Sequence, residues 1–146
     1  MEALVDRVDE IQEQMWDLPT DRGGYATIEL WEPVAVTPDL PTALLAIAKR
    51  VYHSEEVTSV SIQNLADWHK AVREHVTAHA SSDRSARVQA LRLVDTLINS
   101  LTDAMGAPRT VAYVTYEPRQ WYAAVWQDWL LVTDSWATVL HLGWDS

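Results

Sequence analysis

The strongest constraint on the fold lies near the carboxyl end, where apolar and aromatic side chains fill both sets of alternating positions. Five of the eight tryptophans fall between positions 121 and 144. β-Branched and aromatic residues favour strands, so this region predicts an antiparallel meander with strands at 111–116, 121–126, 129–133 and 137–142. An antiparallel sheet with one face in water alternates apolar and polar residues. The predicted meander does not alternate in this way, so other groups must cover both of its faces and exclude water.

Two short loops, Gln127–Asp128 and Asp134–Ser135, set the register of the predicted meander. In that register one face is aromatic and the other is smaller and more aliphatic, which suits packing against helices. The aromatic face carries Tyr113, Tyr122, Trp126, Trp129, Trp136 and Trp144. The apolar residues from Tyr122 to Val139 also keep helical spacing, so a helix competes with the meander for this segment.

Three kinds of cover remain open for the aromatic face. A helix of the same domain is the first. The second is another protein chain, either a partner or a second copy, because Trp and Tyr are enriched at binding hot spots. The third is a small apolar ligand in an aromatic-lined cleft.

The rest of the chain predicts helices and two more extended segments. Apolar residues keep helical spacing along the N-terminal segment, at Leu4, Val8, Ile11, Met15 and Leu18. The same spacing predicts helices over 65–80 and 84–105, the second ended by Gly106. Residues 25–36 and 57–62 are typical of strands, the first an edge strand or bent at Pro33. With a helix entered at Thr37-Pro38 between them, they predict a short β-α-β unit.

These elements predict one domain over residues 1–146, because no linker, low-complexity tract or repeat interrupts the chain. The fold class is α+β. Its predicted order is an N-terminal helix, a short β-α-β unit, two long helices and a C-terminal antiparallel Trp-rich meander.

Charge is concentrated at the amino end of the chain. The formal net charge is −10, and the first 32 residues hold nine acidic side chains against two arginines. The candidate binding acids of the N-terminal helix are Asp6, Asp9, Glu10, Glu13 and Asp17. Such a field repels phosphates and favours basic partners, so we expect no direct nucleic-acid binding. The same acids also suit a solvated helix face that aids solubility, or a surface that mimics nucleic acid.

Composition excludes several chemistries. The absence of cysteine excludes disulfides, cysteine-ligated metal centres and a thiol nucleophile. The four glycines, at positions 23, 24, 106 and 143, do not have the spacing of a dinucleotide-binding loop or a Walker phosphate loop. The first residues are acidic, unlike a secretory signal, and no apolar run approaches the ~20 residues of a membrane span. We therefore expect a cytoplasmic protein without membrane association.

Histidines and paired carboxylates are the remaining candidates for chemistry. His75 and His79 lie four residues apart on a predicted helix, with His69 on the neighbouring row, but they match no zinc-protease motif. His141 is a further conceivable ligand. The carboxylate pairs Glu29/Glu32, Glu55/Glu56 and Asp128/Asp134, and the anion-binding candidates Arg109 and Arg119, fall on predicted edges and loops, typical of solvated side chains. We therefore expect no catalytic residue, metal or cofactor.

The sequence thus favours a non-catalytic protein-interaction module of the inhibitor, immunity, phage-modulator or assembly-subunit type. It would bind a protein partner, or itself as a homodimer, through the acidic helix and the aromatic sheet face. The alternative is a small-ligand pocket protein or small enzyme with an aromatic-lined cleft between sheet and helices.

Overall fold

The chain folds into three helices and six strands within the residues that the structure, a computed structural model, describes. Those residues are 2–19, 25–31, 33–36, 59–64, 66–79, 81–117 and 125–145. The helices are α1 (Glu2–Trp16), α2 (Trp68–His79) and α3 (Arg84–Met105). The strands are β1 (Tyr25–Leu30), β2 (Val34–Ala35), β3 (Ser59–Asn64), β4 (Thr110–Glu117), β5 (Val125–Val132) and β6 (Trp136–Asp145). The fold class is α+β, as predicted.

The strands form one antiparallel sheet in the order β1-β6-β5-β4-β3, with β2 pairing beside β1 on β6. The break between β1 and β2 contains Pro33, and β1 lies at the edge of the sheet, as predicted. Three strands separate β1 from β3, so the predicted β-α-β unit does not join adjacent strands. The helix predicted to begin at Thr37-Pro38 lies outside the described residues.

The register of the C-terminal strands differs from the prediction at one point. The segment is a meander rather than a helix, but β5 runs unbroken through Gln127 and Asp128, so the hairpin predicted there is wrong. The segment lacks the glycine that favours a two-residue turn, and both residues pair with β6. The last two residues of the predicted strand at 121–126 belong to β5, and 121–124 lie outside the described residues.

The hairpin predicted at Asp134–Ser135 is confirmed. The Thr133 N–H donates to the Trp136 carbonyl at 2.9 Å. The Thr133 hydroxyl accepts the N–H groups of Ser135 at 3.3 Å and of Trp136 at 3.0 Å. A threonine hydroxyl that binds backbone two or three residues ahead stabilises a turn without glycine.

The helices pack on the sheet face that carries Trp129. This interface is one apolar cluster built from the helix residues Leu4, Val8, Ile11, Met15, Val72, Val76, Ala90, Val94, Leu97, Ile98 and Leu101 and the strand residues Ala26, Ile28, Val111, Trp129, Leu131, Leu140 and Leu142. The expectation that helices would choose the more aliphatic face is therefore wrong. The narrow seams of the helices supply branched aliphatic side chains, and these close around the large indole of Trp129, which is 0 % exposed.

The opposite face of the central strands is buried as well. Leu130 and Val132 of β5 and Val139 of β6 are all less than a tenth exposed. The prediction that the meander is covered on both faces is confirmed for β5 and β6.

The helix ends follow local capping rules. Asp83 accepts the Ala86 N–H at 3.1 Å and begins α3, and Gly106 ends it with φ 88°. Glycine adopts that positive φ without the steric cost that a β-carbon adds. Asp67 caps α2 by accepting the Lys70 N–H at 3.1 Å. The span predicted for α3 is confirmed at both ends.

Among the described residues, no helix combines the length and the apolar character needed to cross a membrane.

Two apolar side chains of α1 offer a matched test of this packing. Ile11 is 0 % exposed and Val5 is 40 % exposed. Replacing Ile11 with Ala should lower the free energy of unfolding by about 2–4 kcal/mol, because it leaves a cavity in the core. Val5→Ala should change it by less than about 0.5 kcal/mol. Urea titration followed by circular dichroism measures both, and equal losses would contradict the assigned orientation of α1.

Candidate functional site

The acidic residues of the N-terminal segment form one exposed surface, here called the acidic face of α1. Its members are Asp6, Asp9, Glu10, Glu13 and Asp17, all exposed, and Asp17 directly follows the helix. On the opposite side, α1 buries Leu4, Val8, Ile11 and Met15. The spacing of that seam fixes the rotation of the helix, so the acids point away from the core.

Within the described residues, most of this negative charge is not neutralised. Arg7 contacts Glu10 at 2.9 Å, and both side chains remain about half exposed. In the described part of the chain, Asp6, Asp9, Glu13 and Asp17 make no ion pair. An exposed pair such as Arg7–Glu10 contributes little to stability. The acidic face of α1 therefore presents four uncompensated carboxylates to solvent.

One flank of α1 lies against the edge strand β1. The Ile28 N–H donates to the Gln12 side-chain oxygen at 2.6 Å. The Trp16 indole N–H donates to the Ala26 carbonyl. Trp16 is nevertheless 49 % exposed, so a large aromatic surface borders the acidic face.

The aromatic residues singled out in the sequence do not share one surface. Trp129 is fully buried beneath the helices, and Tyr113 and Trp144 are partly buried against the same apolar cluster. Trp126 lies on the opposite face, because β5 continues unbroken between positions 126 and 129. Trp136 is 42 % exposed at the start of β6, and Tyr122 lies outside the described residues. A helix of the same domain, the first of the three covers considered above, lies over Trp129.

A buried acid–imidazole pair joins the two central strands. His141 Nδ1 lies 2.6 Å from Asp128 Oδ1, and each side chain is 1 % exposed. The sequence does not reveal this pair, because Asp128 falls in a predicted loop; the strand register alone brings the two residues opposite each other. A carboxylate that orients an imidazole is common in acid–base catalysis. Here both side chains are shielded from solvent, and the pair links β5 to β6 within the sheet.

His75 is a further titratable side chain that packs against the sheet. Its ring makes edge contacts with Trp129 at 5.4 Å and His79 at 5.0 Å between ring centroids. Burial and then the nearby charge of His79 lower the pKa of His75 from 6.5 to about 4, against the opposing effect of a hydrogen bond with the Leu142 backbone. His75 is therefore a neutral side chain of the core at pH 7.

The histidines do not gather a metal site. His69 is exposed and stacks edge-on against Trp68 at 4.5 Å, away from the contact between His75 and His79. Among the residues the structure describes, no three His, Asp or Glu side chains are arranged to hold a metal ion.

The space between sheet and helices is nearly filled in the described part of the molecule. Two voids found there measure about 10 Å³ each, one beside Met15 and Trp144 and one beside Trp68 and Leu131. Such a void holds at most one water molecule. A larger, open depression of about 780 Å³ lies on the outer surface of α2.

That depression is bordered by charges that compensate each other. Lys70 lies 3.8 Å from Glu74, and Arg73 pairs with Asp95 of α3. Its walls therefore present no excess of either sign, in contrast to the acidic face of α1.

No protein-family model, curated protein or solved structure matched this chain.

The buried pair predicts a large effect of a single substitution. Asp128→Ala should lower the free energy of unfolding by about 3–5 kcal/mol, because it leaves the His141 imidazole buried without its carboxylate. Glu10→Ala, which breaks the exposed pair with Arg7, should have a much smaller effect. Chemical denaturation at pH 7 measures both changes. Similar losses in the two variants would show that burial does not set the strength of the Asp128–His141 contact.

The low pKa of His75 predicts a loss of stability in acid. Between pH 6.5 and about 4 the unfolded chain binds a proton at His75 and the folded chain does not, so the free energy of unfolding falls as the pH falls. The loss is roughly 3 kcal/mol and is complete near pH 4. His75→Gln should flatten this part of the pH profile, whereas His69→Gln at an exposed position should not. An unaltered profile in His75→Gln would contradict the assignment of the acid sensitivity to His75.

Proposed function

We propose that this chain is a non-catalytic protein-interaction module, which binds a basic surface of a partner protein through the acidic face of α1. The observation that carries the proposal is the set of four exposed carboxylates that make no ion pair within the described residues. They lie along and directly after a helix whose opposite side is anchored in the core.

This arrangement suits recognition by charge. A cluster of like charges steers a partner of opposite sign and raises the rate of association. Because the buried seam of α1 fixes the backbone in advance, binding costs less conformational entropy than it would for a flexible acidic tail.

An apolar contact is available beside the charges. The indole of Trp16 is 49 % exposed and Val5 is 40 % exposed, both on α1. Tryptophan is over-represented among the residues that carry most of the binding energy at interfaces. We propose that the partner combines lysines or arginines with an apolar patch that covers Trp16.

The biological roles that fit such a module are those of an inhibitor, an immunity factor, a phage-encoded modulator or an assembly subunit. We propose the cytoplasm as its compartment. The sign of the field argues against direct binding to nucleic acid. A second copy of the chain remains a possible partner, through its own basic residues.

The alternative, a ligand pocket or small enzyme with an aromatic cleft, has less support. It requires space between the sheet and the helices, where pockets for small molecules usually measure several hundred Å³. In the described part of this interface the voids found measure about 10 Å³ each.

Two triple variants of equal charge test the proposal. The α1-neutral variant carries Asp6→Asn, Asp9→Asn and Glu13→Gln. The control variant carries Glu74→Gln, Asp103→Asn and Asp134→Asn, at exposed positions elsewhere. Each raises the net charge from −10 by three. Partners are co-purified from the native host with the wild type, and their dissociation constants are then measured with all three proteins.

We expect the α1-neutral variant to bind its partner at least 10-fold more weakly, since a tenfold change requires only about 1.4 kcal/mol. The control should bind within about twofold, and wild-type affinity should fall steeply as salt rises. Equal affinity of the two variants would contradict the proposal. Sedimentation of the purified wild type identifies the homodimer, and competition by duplex DNA for the partner identifies a nucleic-acid mimic.

A further inference from the structure

The sheet ends at β1, which pairs with β6 on one side only in the described structure. An edge strand leaves a row of backbone N–H and C=O groups that another strand can bind. In β1 the groups of Ala26 and Ile28 point outward, since they contact α1 rather than β6.

Two side chains from α1 form hydrogen bonds with these groups. Gln12 supplies the acceptor for the Ile28 N–H at 2.6 Å, and Trp16 supplies the donor for the Ala26 carbonyl. Gln12 and Trp16 lie four residues apart, so they project from one side of the helix. Outward-pointing backbone groups recur every two residues along a strand. One turn of α1 spans a similar distance, so Gln12 and Trp16 reach the groups of two residues, Ile28 and Ala26.

These contacts resemble the pairing of a neighbouring strand, with one donor and one acceptor in alternation. Neither is needed to bury the apolar seam of α1, because that seam faces the core through other residues. Their shared effect is to occupy two of the hydrogen-bonding positions that strand addition requires, the Ala26 carbonyl and the Ile28 N–H.

We infer that Gln12 and Trp16 guard the outer edge of β1 against pairing with β1 of a second copy of this chain. Antiparallel pairing of two copies about Ile28 is two-fold symmetric, the commonest arrangement of homodimers. It places Thr27 of each copy opposite Glu29 of the other, so like charges do not face each other. The edge is therefore self-complementary once the two side chains are removed.

Hydrogen exchange at the Ile28 amide tests the guard directly. Gln12→Met keeps the length of the side chain and removes the acceptor, so the amide should exchange at least 10-fold faster in dilute solution. Gln14→Met, at an exposed position of the same helix, is the matched control and should leave that rate unchanged. An unchanged rate in Gln12→Met would overturn the inference.

Association of the double variant Gln12→Met, Trp16→Phe tests the pairing. Phe keeps an aromatic ring and removes the indole donor. The variant should sediment as a dimer or larger species at concentrations where the wild type and the control Gln14→Met, Trp136→Phe keep their common size. The Ile28 amide of the associated variant should exchange more slowly as the protein concentration rises.

Two results would overturn the inference. The first is a double variant with the circular dichroism of the wild type and no increase in size over the whole concentration range. The second is association without slowing of Ile28 exchange, because pairing would then lie elsewhere. Gln12→Met alone keeps Trp16 in place and retains the exchange test if the double variant fails to fold. Exchange and sedimentation of the purified protein require no partner, so failure of the guard can be distinguished from failure of the proposed partner surface, which shares Trp16.

Discussion

The central strands β5 and β6 are buried on both faces, and this requirement for cover determines where each other element lies. Trp129 is the largest fully buried side chain, and it contacts Tyr113 in the sheet and His75 in α2. Burying an indole removes a large apolar area from water. The burial of Trp129 requires α2 and α3 to lie over one face of the meander. Polar groups in the same strands are thereby removed from water and need other partners.

Buried polar side chains meet this demand in different ways. Asp128 and His141 contact each other across β5 and β6, since an isolated buried charge is far more costly than a paired one. His75 lies in α2, where burial lowers its pKa to about 4, so its side chain is neutral at pH 7. These three residues, which look chemically active in the sequence, are therefore packed within the fold. The acidic side chains of α1 are exposed at the periphery instead.

The helices, the double-sided burial of the meander and the turn at Asp134–Ser135 could be predicted, whereas the course of β5 through Gln127 and Asp128 could not. Helical periodicity and caps are local signals, so the sequence identifies Leu4, Val8, Ile11 and Met15 as the buried seam, and α3 is bounded by its own residues. The faces of strands depend on register, so a misplaced hairpin puts neighbouring residues on the wrong face. Placing a turn at Gln127–Asp128 put Trp126 beside Trp129 and hid the Asp128–His141 pair. The contacts of Gln12 and Trp16 with β1 depend on how α1 docks, which no local pattern records.

The charge pattern of α1 works against the stability of the helix that carries it. Like charges four residues apart, as in Asp6 with Glu10 and Asp9 with Glu13, each cost a few tenths of a kcal/mol. Asp17 adds a negative charge at the negative end of the helix dipole, and no basic residue lies in the last turn. The buried seam and the contacts with β1 hold the helix together despite this repulsion. A basic partner would relieve the repulsion on binding, so the same carboxylates that weaken the free helix would strengthen the complex.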